Sequence, residues 1–482
     1  MLSLRALSNR TRLALGLLGS ALFLGLLGDE LFRATPLGLN VFLWVAALVL
    51  VLIALSRWRG APLTAGRRWM IPTLVLFAGL VVWRDSTWLV ALDLFAIVVA
   101  LSIGALRTAL PLHRVGLTDY AVGLAYAGGA AGGKAVTLMQ EDIDWNELPK
   151  GSQGRQAVAV GRGLMFAAPL LFLFGALFVA ADSVFQDYVS NAVPNPGELL
   201  FHVVLIALFG WVSAGLLREY LTRPTPVQME VRPFFRLGAT ELTVVLALLD
   251  LLFLAFVLVQ IRYLFGGAST IEARTSLTYA EYARHGFFEL VTVAALVLPL
   301  LLLFDWLRRR EDGRSDRLFK LLAGALILLL FVVMASALQR MRLYQREYGL
   351  TELRVYTTGF MLWLAVVLVW AGVTVLRGRR DLFAVGALVS GFAAILTINV
   401  VNPDALIART NLDRPNLDLP YLTRLSDDAT PTLAKALPSL DPATRRALVA
   451  ELESRRQSGD WRNWNWSRYR AQQALDRLGR SR

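Results

Sequence analysis

Cysteine is absent from this chain, which excludes disulfide scaffolds, thiolate metal sites and cysteine nucleophiles. Histidine occurs only at His113, His202 and His285. They are too far apart to predict a zinc or haem site, so no metal and no cofactor is expected. Charge is scarce: Asp, Glu, Lys and Arg make up 18% of 482 residues, against about 25% in a soluble domain. Lysine is rare too, with Lys134, Lys150, Lys320 and Lys435 the only four among 49 basic residues. That bias toward arginine points to a GC-rich bacterial genome. Apolar residues fill the space, at 56% of the chain. Such a composition rules out a disordered chain, a nucleic-acid-binding module and a typical soluble enzyme. It predicts a multi-pass membrane protein of the bacterial plasma membrane, in contact with membrane lipids and not with nucleic acid.

A membrane-spanning helix needs about 20 mostly apolar residues. Eleven stretches qualify: 13–27, 37–55, 70–83, 88–106, 163–181, 199–217, 240–261, 287–306, 318–338, 359–376 and 382–401. The third is short. The first follows Arg5, Arg10 and Arg12 but ends in Gly28-Asp29-Glu30 with no small-residue cleavage site. It reads as a retained span.

The net charge of +13 is topogenic in a membrane protein, because basic loops stay in the cytoplasm. With the N-terminus inside, the cytoplasmic segments carry 26 Lys and Arg, the opposite loops 9 and the tail from residue 402 the remaining 14. The glycine-rich stretch 116–139 could cross as a twelfth span. It would then invert every later loop, so it is read as a surface or re-entrant segment. The expected fold is therefore all-α: a polytopic transmembrane helix bundle over 1–401 with an extracytoplasmic helical tail domain over 402–482.

Gly128-Gly-Ala-Ala-Gly-Gly133-Lys134 fits the spacing of a phosphate loop. Ala135 stands where Ser or Thr would hold magnesium, and no strand precedes it, so small-residue helix packing is the better reading. Ionisable residues inside spans are costly and become functional candidates by default. Asp250, near the middle of the seventh span, is the leading one: a proton relay or a buried structural hydrogen bond. Asp93 reads as structural.

The densest polar chemistry flanks the outer ends of the seventh to tenth spans: Arg262, Glu281, Tyr282, Arg284, Glu289, Arg340, Arg342, Tyr344, Glu352, Arg354 and Tyr356. Glu281, His285 and Glu289 are four apart and share a helical face, as do Arg340 and Tyr344. Arginine offers a donor fork that fits carboxylates and phosphates, and external loops are normally poor in it. The cluster is either a binding site for an anionic small molecule or lipid-linked substrate, or an aromatic belt tied by salt bridges.

The stretches ELTVVLALLDLLFLAFVLVQIRYLFGG, LTYAEYARHGFFEL and YGLTELRVYTTGF resemble a bacterial multispanning family catalogued as domain of unknown function 4173, kin to family 4153. The likeness runs from about residue 158 and takes in LPYLTRLSDDATPTL and DWRNWNWSRYRA of the tail. It implies an integral membrane fold and supplies no catalytic residues.

In the tail, Asp427-Asp428-Ala429 predicts a cap for a helix to about 437, and Asp441-Pro442 opens a second. A third is expected at about 467–478. Trp461, Trp464 and Trp466 alternate with Arg462, Arg468 and Arg470 around its start. They suit a lipid headgroup layer; the expectation adopted is that they pack inside a small three-helix core. Function stays open among three classes: substrate binding or transport with Asp250 coupled to protons, an envelope sensor or assembly scaffold whose tail meets a protein partner, and a membrane transferase for lipid-linked substrates.

Overall fold

The computed structural model describes residues 8–60, 63, 68–105, 133–144, 147, scattered positions from 160 to 185, 195–221, 235–265, 287–308, 313–415, 417–455 and 459–480. Its regular elements, among the described residues, are all helical. They begin with α1 (Asn9–Phe32), α2 (Leu39–Trp58), α3 (Met70–Trp83), α4 (Thr87–Gly104) and α5 (Pro196–Leu221). There follow α6 (Ala239–Phe265), α7 (Phe287–Leu307), α8 (Gly313–Tyr348), α9 (Glu352–Thr374) and α10 (Arg380–Val401). The tail contributes α11 (Pro403–Leu412), α12 (Leu419–Leu422), α13 (Thr430–Ala436), α14 (Pro442–Ser454) and α15 (Trp466–Arg480).

Nine described helices are long and apolar enough to cross a membrane, so the chain is a multi-pass membrane protein. The tenth, α3, has 14 residues. At 1.5 Å per residue it reaches about 21 Å, less than the roughly 30 Å hydrocarbon layer. The predicted stretch 163–181 lies largely, and the glycine-rich stretch 116–139 mostly, outside the described residues. Of the phosphate-loop-like motif only Gly133 and Lys134 are described, at the start of a helix over 133–140. Large apolar side chains face outward along the spans, among them Leu248, Leu251, Leu252, Leu321 and Leu328, as a lipid-facing surface requires.

In lipid no hydrophobic force pushes helices together, so close van der Waals packing must do it. Helices α1 and α5 pair through glycine. A Cβ on Gly25 would lie 2.6 Å from the Ile206 carbonyl and 3.2 Å from the Gly210 Cα. Gly28 faces the Phe209 ring, which in turn stacks on Phe32 at 4.6 Å. Around this pair α2, α3 and α4 complete one packed core; α6, α7, α8 and α9 build a second. Helix α10 joins them, with Phe392 and Ile395 against the first core and Gly386 under the Trp370 ring of α9.

Polar contacts sort the connections into two ends. At one end Asp142 binds both Arg10, at 3.0 Å, and Arg218, at 2.5 Å, and the Tyr220 hydroxyl donates to the Leu101 carbonyl at 2.6 Å. At the other end His202 Nδ1 meets Asp29 at 2.7 Å, and the tail rests on the connections around residues 33–38, 84–86 and 349–351.

The tail has its own apolar core, with Leu422, Leu433, Leu448 and Leu452 fully buried. It also takes in Leu350 and Val355 from the bundle. Asn402, in the left-handed conformation at φ 54°, ends α10 and caps α11 by accepting the Ala405 N–H. The tail therefore starts without a linker. The expectation that the tryptophans pack inside it is overturned: Trp461 is 63% exposed, Trp464 41% and Trp466 40%. The inward positions between and just after them belong to Asn463, Asn465 and Ser467.

Candidate functional site

Helix α8 runs for 36 residues, about 54 Å at 1.5 Å per residue. That exceeds what a bilayer needs, so its last turns carry Arg340, Arg342, Tyr344 and Arg346 beyond the apolar layer. The Arg340 guanidinium donates to the Gln260 Oε1 at 3.0 Å, which the Ser336 hydroxyl also reaches at 2.6 Å. The Arg354 guanidinium lies 4.0 Å above the Tyr344 ring and donates to the Gly349 carbonyl at 2.5 Å. Tyr344 in turn packs on Tyr348 with ring centroids 5.0 Å apart. Arg342 is exposed.

Gly349, at φ +76°, turns the chain from α8 into α9. A side chain there would sit 2.6 Å from the Asn411 Oδ1, which holds the Leu350 N–H at 2.8 Å. Arg414 completes the end of α8 by donating to the carbonyls of Arg346, at 2.8 Å, and Glu347. Lone carbonyls at a helix C-terminus favour such a cation.

Of the predicted cluster, Arg354 and Tyr344 come together, with Arg340 one turn before Tyr344 on the same helix. Glu352 and Tyr356 lie at the junction of bundle and tail. The Glu352 N–H donates to the Tyr421 hydroxyl at 2.9 Å, and the Tyr356 hydroxyl lies 3.4 Å from that of Ser86. Glu289 is exposed in the first turn of α7. Glu281, Tyr282, Arg284 and the side chain of Arg262 lie outside the described residues. Asp250 sits on the stripe of α6 that packs toward α8, with Leu246, Leu249 and Phe253. Both its carboxylate oxygens are shielded and have no hydrogen-bond partner among the described residues.

A second polar centre lies where the tail meets the bundle. Asp428, its side chain wholly enclosed, pairs with Arg84 at 3.2 Å. It also accepts the N–H groups of Asp85, at 2.8 Å, and Ser86, at 3.0 Å, together with the Ser467 hydroxyl. Arg84 donates to the Asn399 carbonyl at 2.8 Å, and the Asn399 amide donates to Asp93 at 3.0 Å. Asn465 spans the junction through the carbonyls of Val81 and Arg84, at 2.9 and 2.8 Å. Arg468 pairs with Asp85 at 2.5 Å. Burial pushes the Asp85 carboxyl up to about 6, against the opposing pull of Arg468. Asp404 and Asp427 are raised for the same reason, the first held back by Ser426 and the second by Arg455.

In the sequence only Asp93 of this centre reads as structural; Asp428 reads as part of a helix cap, and Asn399 is one amide within an apolar run. The available signal was the alternation Trp464-Asn465-Trp466-Ser467, a two-residue period that puts the polar side chains on one face and the rings on the other.

Among the described residues no group of three or more His, Asp or Glu side chains is placed to hold a metal ion. A family model described as Domain of unknown function (DUF4153) matches residues 70–436, so the chain belongs to that family. The match is to the kin of the family that the motifs resemble. It starts well before residue 158 and stops before the tryptophan-rich segment. No curated protein and no solved structure matches the chain.

Proposed function

We propose that this member of the family crosses the bacterial plasma membrane eleven times with its N-terminus inside, and binds an anionic group at the outer ends of α8 and α9. The ligand class is a carboxylate or phosphate on a small or lipid-linked molecule. The observation that carries the binding reading is the state of two arginines. Arg10, Arg84, Arg218, Arg308, Arg462 and Arg468 all pair with carboxylates. Arg342 and Arg354 form no ion pair with a carboxylate among the described residues. Arg354 gives one donor to a neutral carbonyl and lies against a ring, which leaves its charge without a carboxylate counterpart among the described residues. Such guanidinium groups give a positive field and a donor fork for an oxyanion.

The topology draws on parity. Gly104 and Asp142 belong to the same end of the bundle, through Tyr220 and Arg218, which supports no net crossing by 116–139. Pro196 starts at the opposite end, beside Asp29 and His202. An odd number of crossings between residues 142 and 196 fits this arrangement, and the apolar stretch 163–181 is long enough for one. The excess of arginine on the end holding Arg10 and Arg218 then assigns that end to the cytoplasm.

Asp250 would couple binding to proton movement, its carboxylate lying in the α6 and α8 interface without a described partner. A scaffold reading is favoured by a different observation, the buried lock around Asp428, which makes the tail a fixed cap able to present a surface to an envelope protein.

The test is binding of a polyprenyl phosphate and of inorganic phosphate to the full chain in nanodiscs. Arg342→Ala combined with Arg354→Ala is expected to weaken the bound probe by at least tenfold. Equal binding by a normally folded variant, or binding of neither probe by the parent, overturns the anion reading and leaves the scaffold.

A further inference from the structure

We propose that the face of the tail formed by Trp461, Trp464, Trp466 and Tyr469 is seated in the phospholipid headgroup layer of the membrane that the bundle spans. The segment is inside out for a protein surface in water. Its polar residues point inward: Asn463 donates to the Thr35 carbonyl at 2.7 Å, Asn465 to Val81 and Arg84, and Ser467 to Asp428. Its rings point outward, and those of Trp464, Trp466 and Tyr469 touch one another. Trp464 lies 6.4 Å from Trp466 and 6.2 Å from Tyr469, and Trp466 lies 5.8 Å from Tyr469. Three tryptophans and a tyrosine grouped on a bulk-water surface would forfeit the burial that large rings normally gain.

The level of this face along the bundle is fixed by hydrogen bonds. The Leu39 N–H, in the first turn of α2, donates to the Trp464 carbonyl at 2.9 Å, and a Cβ on Gly38 would lie 2.6 Å from that same oxygen. The first turn of a membrane-crossing helix lies at the boundary between hydrocarbon and headgroups, where Trp and Tyr are enriched. Arg462, which reaches the Glu30 carbonyl at 2.7 Å, ties the segment to the last turns of α1 at the same end. Trp88, 56% exposed in the first turn of α4, continues the aromatic belt at that end.

Charge agrees with the occupant. Arg470 is exposed on the next turn of α15 and makes no contact with a carboxylate among the described residues, as suits a lipid phosphate. The tail is thus both locked to the bundle through its inward polar side chains and anchored to lipid through its outward rings. This holds whichever side of the membrane the tail occupies and whether or not the arginines of α8 and α9 bind a ligand.

The absence of cysteine from the sequence makes the test direct. Nitroxide labels are attached to Trp466→Cys, Tyr469→Cys and, as a control on the exposed side of α14, Glu451→Cys. Each full-length variant is placed in phosphatidylcholine–phosphatidylglycerol vesicles, and collisions with oxygen and with a water-soluble nickel chelate are measured. The oxygen-to-nickel ratio is expected to be several-fold higher at 466 and 469 than at 451. Equal ratios at the three positions overturn the proposal. As a check that removes no ring, Trp461, Trp464 and Trp466 are changed together to Phe. Brominated lipid is expected to quench the emission that this change removes; quenching of that emission by aqueous iodide instead overturns the proposal.

Discussion

Arg84 and Asp428 stand 344 positions apart in sequence and meet at 3.2 Å, with the Asp428 side chain fully enclosed and the Arg84 side chain only 10% exposed. Arg84 ends the short helix α3, and Asp428 precedes α13 in the tail. A buried charge is tolerable only when paired and hydrogen-bonded, and Asp428 meets both conditions. Its partners come from the bundle and the tail together, so neither part satisfies it alone.

Removing one partner should therefore cost more than removing both. Arg84→Ala leaves the Asp428 carboxylate enclosed without its cation, which typically costs about 3–5 kcal/mol. Adding Asp428→Asn to it should recover part of that loss, because a neutral amide still accepts from the Ser86 N–H. Protease resistance of the tail, followed across a thermal ramp for both variants and the parent, reads the difference. Arg84→Ala with the parent's resistance would show that the ion pair does not hold the tail.

The junction should also respond to pH. The Asp85 carboxyl is raised to about 6, with burial the largest cause, Arg468 opposing it, and Asp427 and Asp428 adding to it. The folded state thus holds this proton more tightly than the unfolded chain. Its contribution is fully present below about pH 4, declines as pH rises toward 6, and is lost above that. A two-unit shift bounds the effect at about 3 kcal/mol. Asp404 and Asp427 shift in the same direction. Hydrogen exchange of the amides around residues 84–86 should be slower at pH 5 than at pH 7.5 after correction for the intrinsic rate. Asp85→Asn should shrink the difference.

The close crossing of α1 and α5 offers a test of packing. A methyl group on Gly25 would press on the Ile206 carbonyl and the Gly210 backbone, neither of which can rotate away. Overpacking of this kind costs about 1–3 kcal/mol. Gly25→Ala is expected to lower the unfolding midpoint in detergent, and Gly25→Leu to lower it further. Gly19→Ala, with open space around the new atom, should leave it unchanged.

Much of the architecture is legible in composition alone. A run of about 20 apolar residues predicts a spanning helix without reference to its neighbours, and ten of the eleven runs coincide with described helices. Pairing is not legible in that way. Helices α1 and α5 are separated by more than 160 residues, and one apolar run looks like another until Gly25 and Gly210 meet. The candidate site divides similarly. The arginines of α8 and α9 stand out because the charge count predicts their loops to be external, and external loops seldom carry arginine. Asn399 and Asp428 do not stand out, since their meaning comes from partners far away in sequence. For the tryptophans the usual rule that rings go inward fails because Asn463, Asn465 and Ser467 take the inward positions, and their partners lie far away in sequence.

Sidedness is the remaining prediction. The end that holds Arg10, Arg218 and Arg308 carries most of the loop arginines, and translocation of such loops is disfavoured. The tail belongs to the opposite end, because it contacts the connections at 33–38 and 84–86. A reporter active only outside the cytoplasm should therefore be active when fused after Arg482 and silent when fused after Arg310. A third fusion, after Lys150, should be silent as well. Activity at Lys150 with silence at Arg310 would mean that 116–139 crosses in place of 163–181. Silence at Arg482 with activity at Arg310 would invert the whole molecule and move the arginines of α8 and α9 to the cytoplasmic face, where a lipid-linked precursor would have to be met before export.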